Sequence, residues 1–208
     1  MYKRIHPERK ITFERFLSGM PARDYVFQST SYDEQIKQAA EMIKEAEYCL
    51  IGAGAGLSAA AGAQYGGKFF EDNFGDFQKK YGNGPYMQDM YSAGFYPYPD
   101  EESYWGYWSK QAMKAGIEAD HTELHKVILE MLDGKQNFVL STNADGQFMK
   151  AGLSEERIFC TQGDYFHIQC ARGCHQKIYD AVTLFRQMDQ ARKDCRIPSD
   201  MVPKCPVC

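Results

Sequence analysis

Residues 48–62 read YCLIGAGAGLSAAAG: a short apolar run ending in glycine, then a glycine-rich turn, then a run of small residues. Tyr48 to Ala53 suits a strand buried on both faces of a parallel sheet. Gly54, Gly56 and Ala59 satisfy the GxGxxG/A spacing, in which glycines let the backbone N–H groups of a helix start approach a pyrophosphate. Taken alone, the same residues also suit a tight strand-to-helix turn that binds nothing. In a dehydrogenase the helix continues for several turns towards a second strand whose acidic end holds ribose. Here Gly62, Gly66 and Gly67 stop it early.

Upstream, Ile36, Ala39, Ala40, Ile43 and Ala46 recur at helical spacing between Asp33 and Glu47, with Ser31 and Asp33 available as caps. This pattern predicts a surface helix with one buried face. Residues 1–30 show no clean period, although Phe13, Phe16 and Leu17 fit one face of a short helix. Downstream, residues 64–116 are rich in Gly, Tyr, Phe, Pro and Trp and lack strand alternation. They read as an insertion of loops and short helices, closed by a helix near Tyr104 to Ala115. A helix from His121 to Leu132, a strand from Phe138 to Thr142, a short helix from Gln147 to Ala151 and a strand from Ile158 to Thr161 come next. Strands alternating with helices predict an α/β fold: a doubly wound, Rossmann-like parallel sheet flanked by helices, with ligands beyond the carboxyl ends of the strands.

The 208 residues, 44% of them hydrophobic, suffice for one medium domain with a core and a small satellite module. Net charge is −4, with Lys and Arg scattered rather than gathered into a stripe, which argues against a nucleic-acid partner. Nowhere do eighteen or more apolar residues run together, so no membrane partner and a cytoplasmic location are expected. In that compartment seven cysteines argue against a disulfide framework and for metal binding or burial.

Residues 141–152 read STNADGQFMKAG and lie at the carboxyl end of a predicted strand. Asn143 and Asp145 there offer an amide and a carboxylate two residues apart, suited to holding a ribose and a carboxamide; turn and helix-cap chemistry is the plainer reading of the same pair. Residues 157–165, RIFCTQGDY, end another strand in Gln162 and Gly163. Cys170 and Cys174 form CxxxC, Cys205 and Cys208 form CxxC, and 30 residues separate the pairs. Four thiolates at such spacing can close a tetrahedral zinc site that leaves no open position and is therefore structural. His167, His175 and Cys195 are substitute ligands, and Cys49 and Cys160 read as small core residues.

Together these motifs resemble those of sirtuins. GAGLSAAAG is similar to their GAGxSxxxG cofactor loop, and STNADGQFMKAG to their TQNxDGLHxxAG stretch, with Asn143, Asp145, Gly146, Ala151 and Gly152 at matching positions. TQGDY aligns where a sirtuin strand ends in His-Gly, and Gln162 takes the place of the histidine. The likeness runs from about residue 33 to Cys208 and is greatest to the macrodomain-linked class M sirtuins of microbes. It implies an N-terminal extension (1–30), a Rossmann-like NAD-binding domain (31–165) with the insertion at 64–116, and a zinc-binding module (166–208). Two departures stand out. Gln64, Tyr65, Gly66 and Gly67 replace the usual Pro-Asp-Phe-Arg, and sirtuins continue beyond the second cysteine pair into strands that hold the adenosine half. Weak or absent NAD binding by residues 1–208 alone is therefore expected.

The resemblance assigns NAD as substrate and zinc as structural metal. The cofactor loop at Gly54, Ala55, Gly56, Ser58 and Gly62 would take the diphosphate, and Asn143, Asp145 and Gln162 the reacting ribose and nicotinamide. A deacylating sirtuin needs its histidine to deprotonate a ribose hydroxyl after nicotinamide leaves, and a glutamine amide cannot accept that proton near pH 7. The implied activity is NAD-dependent protein ADP-ribosylation. Its implied acceptor is a lipoylated carrier protein, in functional association with a macrodomain protein. The rivals are a lysine deacylase using another base, with His167 nearest, and a non-catalytic NAD or ADP-ribose sensor.

Overall fold

A computed structural model describes residues 31–82 and 84–208, so the helical face expected at Phe13, Phe16 and Leu17 lies outside the described residues. The chain divides into two compact units, residues 1–47 and 48–208. In the first, helix α1 (Tyr32–Glu45) starts where Ser31 caps it, the serine oxygen accepting a hydrogen bond from the Glu34 N–H. Among the described residues the expected buried face is not found: none of the helix's residues is buried, and Ile36 and Met42 stand exposed.

The second unit begins with β1 (Tyr48–Ala53) and runs through α2 (Ala55–Ala60), α3 (Gly67–Tyr81), α4 (Met90–Gly94) and α5 (Glu101–Ala112). A π-helical turn, Met113–Ile117, then leads to α6 (Glu123–Met131), β2 (Gln136–Ser141), α7 (Gln147–Lys150) and β3 (Ile158–Cys160). β1, β2 and β3 form a parallel sheet in that order, with Leu50 opposite Phe138 and Ser141 opposite Cys160. Ala53, Val139, Phe148 and Leu153 make the core beneath it, with Ile51, Leu57, Ile128 and Leu129 packed alongside. The parallel α/β class expected from the sequence is therefore present. Burial on both faces is not seen among the described residues. Leu50 is 73% exposed and Phe159 57%, with Phe138 and Leu140 beside them, because the helices of this unit cover one side of each strand.

The insertion holds the expected short helices, and α3 is itself two helical runs joined at a kink at Phe74, where the backbone leaves helical geometry (φ −124°, ψ 15°). α3 has fifteen residues and sets Phe70, Phe74 and Phe77 on one face, each fully buried against Met87, Met90, Ala93 and Tyr107. Phe70 and Phe74 stack with centroids 5.1 Å apart, and the Tyr107 hydroxyl donates to the Met90 carbonyl at 2.6 Å. This aromatic core is separate from the one under the sheet. A third cluster joins the π turn and α5 to the C-terminal segment through Ala112, Met113, Phe185, Met188 and Ile197. That segment holds an antiparallel pair, β4 (His167–Gln169) with β5 (Ile178–Asp180), followed by α8 (Val182–Ala191).

Candidate active site and metal centre

The glycine turn lies against the carboxyl end of β2: a Cβ on Gly54 would come 3.2 Å from the Thr142 hydroxyl, and the Thr142 N–H donates to the Ala53 carbonyl at 2.9 Å. One turn into α2, Ser58 is buried at this junction. Its hydroxyl donates to Asp145 Oδ2 at 2.7 Å and accepts from Asn143 Nδ2 at 3.0 Å. Thus three residues expected at the site, 87 positions apart at the extremes, form one hydrogen-bonded unit. Ser141, buried at the end of β2, orients Asn143 by accepting its backbone N–H at 3.0 Å. Gly146, at φ +68°, turns the chain next to the Phe166 ring, where a Cβ would lie 2.5 Å from the ring edge.

A cavity of about 360 Å³ opens beside this unit, and Ser58, Gly62 and Asp145 line it. Asn143 and Gln162 are not in its lining, nor are Gly54, Ala55 and Gly56, which sit at the turn itself. Gln162 is exposed, its side-chain amide donating to the Thr142 carbonyl at 3.2 Å, so its backbone partner belongs to the strand end that carries Asn143. Tyr65, Lys114, Thr122 and Gln147, to which the sequence motifs assign no site role, also line the cavity. Burial, opposed by a hydrogen bond with Ser58, pushes the Tyr65 hydroxyl above its usual pKa, so it stays protonated at neutral pH. His125, behind Thr122 and edge-on to Phe148, is held below the usual histidine range by burial.

The four cysteines at 170, 174, 205 and 208 converge, every sulfur within 4.8 Å of the others. Cys170 and Cys208 approach to 3.7 Å and Cys174 and Cys205 to 3.5 Å. Sulfurs at tetrahedral corners around zinc, each at ~2.3 Å, stand about 3.8 Å apart, so the set fits the metal. The backbone N–H of Cys174 is the largest influence drawing the Cys170 thiol down, to about 6. His175 stands next to the set, Nδ1 3.0 Å from the Cys174 sulfur and Nε2 2.9 Å from the Tyr179 hydroxyl. His167 is engaged elsewhere, Nδ1 2.9 Å from Asp164 Oδ2, and Cys195 is buried in the aromatic core. Neither His167 nor Cys195 belongs to the sulfur cluster. The protein purified without added metal should carry about one zinc per chain. Cys205→Ser should lower that content and destabilise the 166–208 segment while most sheet signal survives. Absence of zinc in metal analysis would overturn the assignment.

The chain is 35% identical over 179 residues to the "Protein ADP-ribosyltransferase" of Staphylococcus aureus, covering 85% of this chain and 56% of that one. It is 31% identical over 182 residues to the "Probable bifunctional ADP-ribose hydrolase/ADP-ribosyltransferase" of Fusarium oxysporum f. sp. cubense, covering 82% of this chain and 29% of the other. The chain therefore spans about half or less of the length of these curated relatives. No protein-family profile matches it. Among solved structures, a Sir2 homologue in complex with NAD superposes with TM-score 0.52 at 21% identity, over 86% of this chain and 59% of the other. A sirtuin determined to explain substrate affinity superposes with TM-score 0.52 at 18% identity, over 86% and 62%. These structures match in fold, and the motifs that carry the sequence resemblance lie at the strand ends of that fold. The chain has the fold of sirtuins and is similar in sequence to proteins named as ADP-ribosyltransferases.

Proposed function

We propose that this chain acts as an NAD-dependent protein ADP-ribosyltransferase of sirtuin type, moving ADP-ribose from NAD to a protein acceptor with release of nicotinamide. The observation that carries the reading is the site's composition. It has a hydrogen-bonded serine, amide and carboxylate at the strand ends, and a glutamine amide, Gln162, where the resemblance has a catalytic histidine. Such a site has groups to orient a ribose and stabilise charge at its reacting carbon, and positioning is a sufficient source of rate for transfer to a nucleophile held nearby. It lacks a base at the position that deacylation requires. His167, the nearest alternative, is paired with Asp164.

In this reading Gly54, Ala55, Gly56, Ser58 and Gly62 take the diphosphate side of NAD, and Asn143, Asp145 and Gln162 the reacting ribose and nicotinamide. Zinc on Cys170, Cys174, Cys205 and Cys208 would supply rigidity and no chemistry. The names of the two relatives support the transferase reading. The acceptor we assign is a lipoylated carrier protein, as the resemblance to the class M branch implies. A functional association with a macrodomain protein is likewise what the resemblance to the class M branch implies; the fungal relative's name pairs an ADP-ribose hydrolase with a transferase. Among the described residues no helix is long and apolar enough to cross a membrane. The cytoplasmic location is the one the sequence leads us to assign.

Incubating a version of the protein extended to the length of its curated relatives with labelled NAD and an extract of its own cells should transfer label to one or a few proteins, with nicotinamide released in step. Deacylation of acyl-lysine peptides should be absent. Release of acyl groups from such peptides would favour the deacylase, and tight NAD binding without nicotinamide release would favour the sensor.

A further inference from the structure

The pocket wall formed by residues 119–122 is held to the Asn143–Asp145 loop by one side chain. Gln147, at the start of α7, is buried, and every polar group it has is engaged. Its Oε1 accepts the Thr122 N–H at 2.9 Å, and its Nε2 donates to the Asp120 carbonyl at 3.0 Å. Its backbone N–H donates to Asp145 Oδ1 at 3.1 Å, while Asp145 Oδ2 takes the Ser58 hydroxyl. A continuous chain of hydrogen bonds therefore runs from the cofactor loop through Ser58, Asp145 and Gln147 to the opposite wall, where Ala119 and Thr122 line the same cavity. A second residue of α7 reinforces the tie. The Lys150 ammonium binds the carbonyls of Gly116 and Ala119, at the end of the π turn that contributes Lys114 and Ala115 to the cavity.

The chemistry of the tie requires an amide. The wall presents one N–H and one C=O, and a primary carboxamide is the side chain that answers both at once without charge. An aliphatic residue, such as the leucine that the sirtuin pattern has here, would leave a buried donor and acceptor without partners. The network is fully satisfied, which makes the spacing between wall and carboxylate a fixed quantity rather than an average over loop positions.

We propose that Gln147 is a positioning residue for the reaction, setting the distance between Asp145 and the 119–122 wall so that the substrate's reacting end is held in one pose. The proposal rests on the transferase reading above. It predicts a loss in turnover with little loss in NAD affinity, because Gln147 acts through Asp145 and the wall.

The test, made in the same extended version of the protein, compares the wild type with Gln147→Leu and Gln147→Glu by nicotinamide release, NAD affinity and amide hydrogen exchange at Thr122. Gln147→Leu should reduce kcat by ~10- to 100-fold, the scale of a misplacement of about 1 Å, with KM for NAD changed only a few-fold. Its Thr122 amide should exchange faster. Gln147→Glu supplies a signature that a packing role would not produce. Protonated, the introduced carboxyl group reproduces the amide's donor and acceptor; ionised, it loses the donor and repels Asp145. Its kcat relative to wild type should therefore be low at pH 8 and recover towards unity as pH falls to about 5.5. The charged and titratable groups around the introduced carboxyl are Asp145, Asp120, Tyr65, His125, Lys150, Cys160 and Tyr165; both proteins carry them, so the ratio reports the introduced carboxyl together with its coupling to them. Wild-type turnover in Gln147→Leu, or a pH-independent ratio for Gln147→Glu, would overturn the proposal. If the wild type itself releases no nicotinamide with any acceptor, the transferase reading fails and with it the role in turnover. Thr122 exchange then decides the tie alone: faster exchange in Gln147→Leu keeps it, unchanged exchange rejects it.

Discussion

Gly106→Ala should lower the melting temperature by roughly 4–8 °C, although helix propensity alone argues the other way. Gly106 lies inside α5, where alanine is preferred to glycine by about 1 kcal/mol. Against that gain stands the packing of the helix on the 193–196 turn. A Cβ on Gly106 would drive into the Cys195 carbonyl oxygen and lie 3.0 Å from its carbonyl carbon and 3.2 Å from the Arg196 Cα. Those are backbone atoms, and the turn has little freedom to withdraw. Asp194 and Cys195 both occupy the left-handed region, at φ +47° and +61°, and Lys193 and Arg196 bond to one another through their backbones. Lys80 ties Asp194 down at 2.7 Å, and Cys195 is buried in the aromatic core. Overpacking against fixed atoms costs up to ~3 kcal/mol, which outweighs the propensity gain by about 2 kcal/mol. For a chain of this size that corresponds to the stated shift. Gly75→Ala is the control: it sits in α3 with open space around its Cβ, and a gain of ~0.4–1 kcal/mol is expected. Thermal unfolding followed by circular dichroism checks both, and a Gly106→Ala protein as stable as wild type would show that the turn yields.

The contrast between those glycines marks where the sequence stops being legible. The turn after β1 could be read because an apolar run bounded by Gly54 has few alternatives, and β2 and β3 carry the same signal. The exposed apolar face of the sheet could not, since a strand's composition states that both faces are apolar and not what covers each one. α3 was legible in principle: Phe70, Phe74, Phe77 and Tyr81 recur at helical spacing. Gly67 and Gly75 and a run of aromatic side chains mask that signal, and burial of three rings overrides their modest helix propensity. At the site, Ser58, Asn143 and Asp145 could be named because each sits in a motif. Gln147 could not, because its partners are backbone groups at 120 and 122, and residue types do not encode which main-chain atoms a fold leaves unpaired.

In the extended protein, Asn143→Ala should abolish ADP-ribosyl transfer, with a loss of ~10²-fold or more in the rate of nicotinamide release, the usual scale for removing one preorganised donor. In the structure its amide anchors the hydrogen-bonded network at the edge of the cavity. Asn143 Nδ2 donates to Ser58, whose own proton goes to Asp145, so the three groups share a single direction of donation. Alanine removes the first donor and leaves the Ser58 oxygen free to rotate, which loosens the Asp145 carboxylate at the cavity edge. Asn143→Asp keeps the shape but replaces the donor with an acceptor, putting two carboxylates around one hydroxyl, and should be about as damaging. Gln162→Ala should cost less, because that side chain is exposed and its contact in the structure is a hydrogen bond to the Thr142 carbonyl. Single-turnover nicotinamide release and transfer to the acceptor, measured side by side for the three variants, separate these expectations. Normal transfer by both alanine variants would show that the site is elsewhere. A Gln162→Ala loss as complete as that of Asn143→Ala would move the positioning role from the buried Ser58–Asp145 network to the exposed amide at the end of β3.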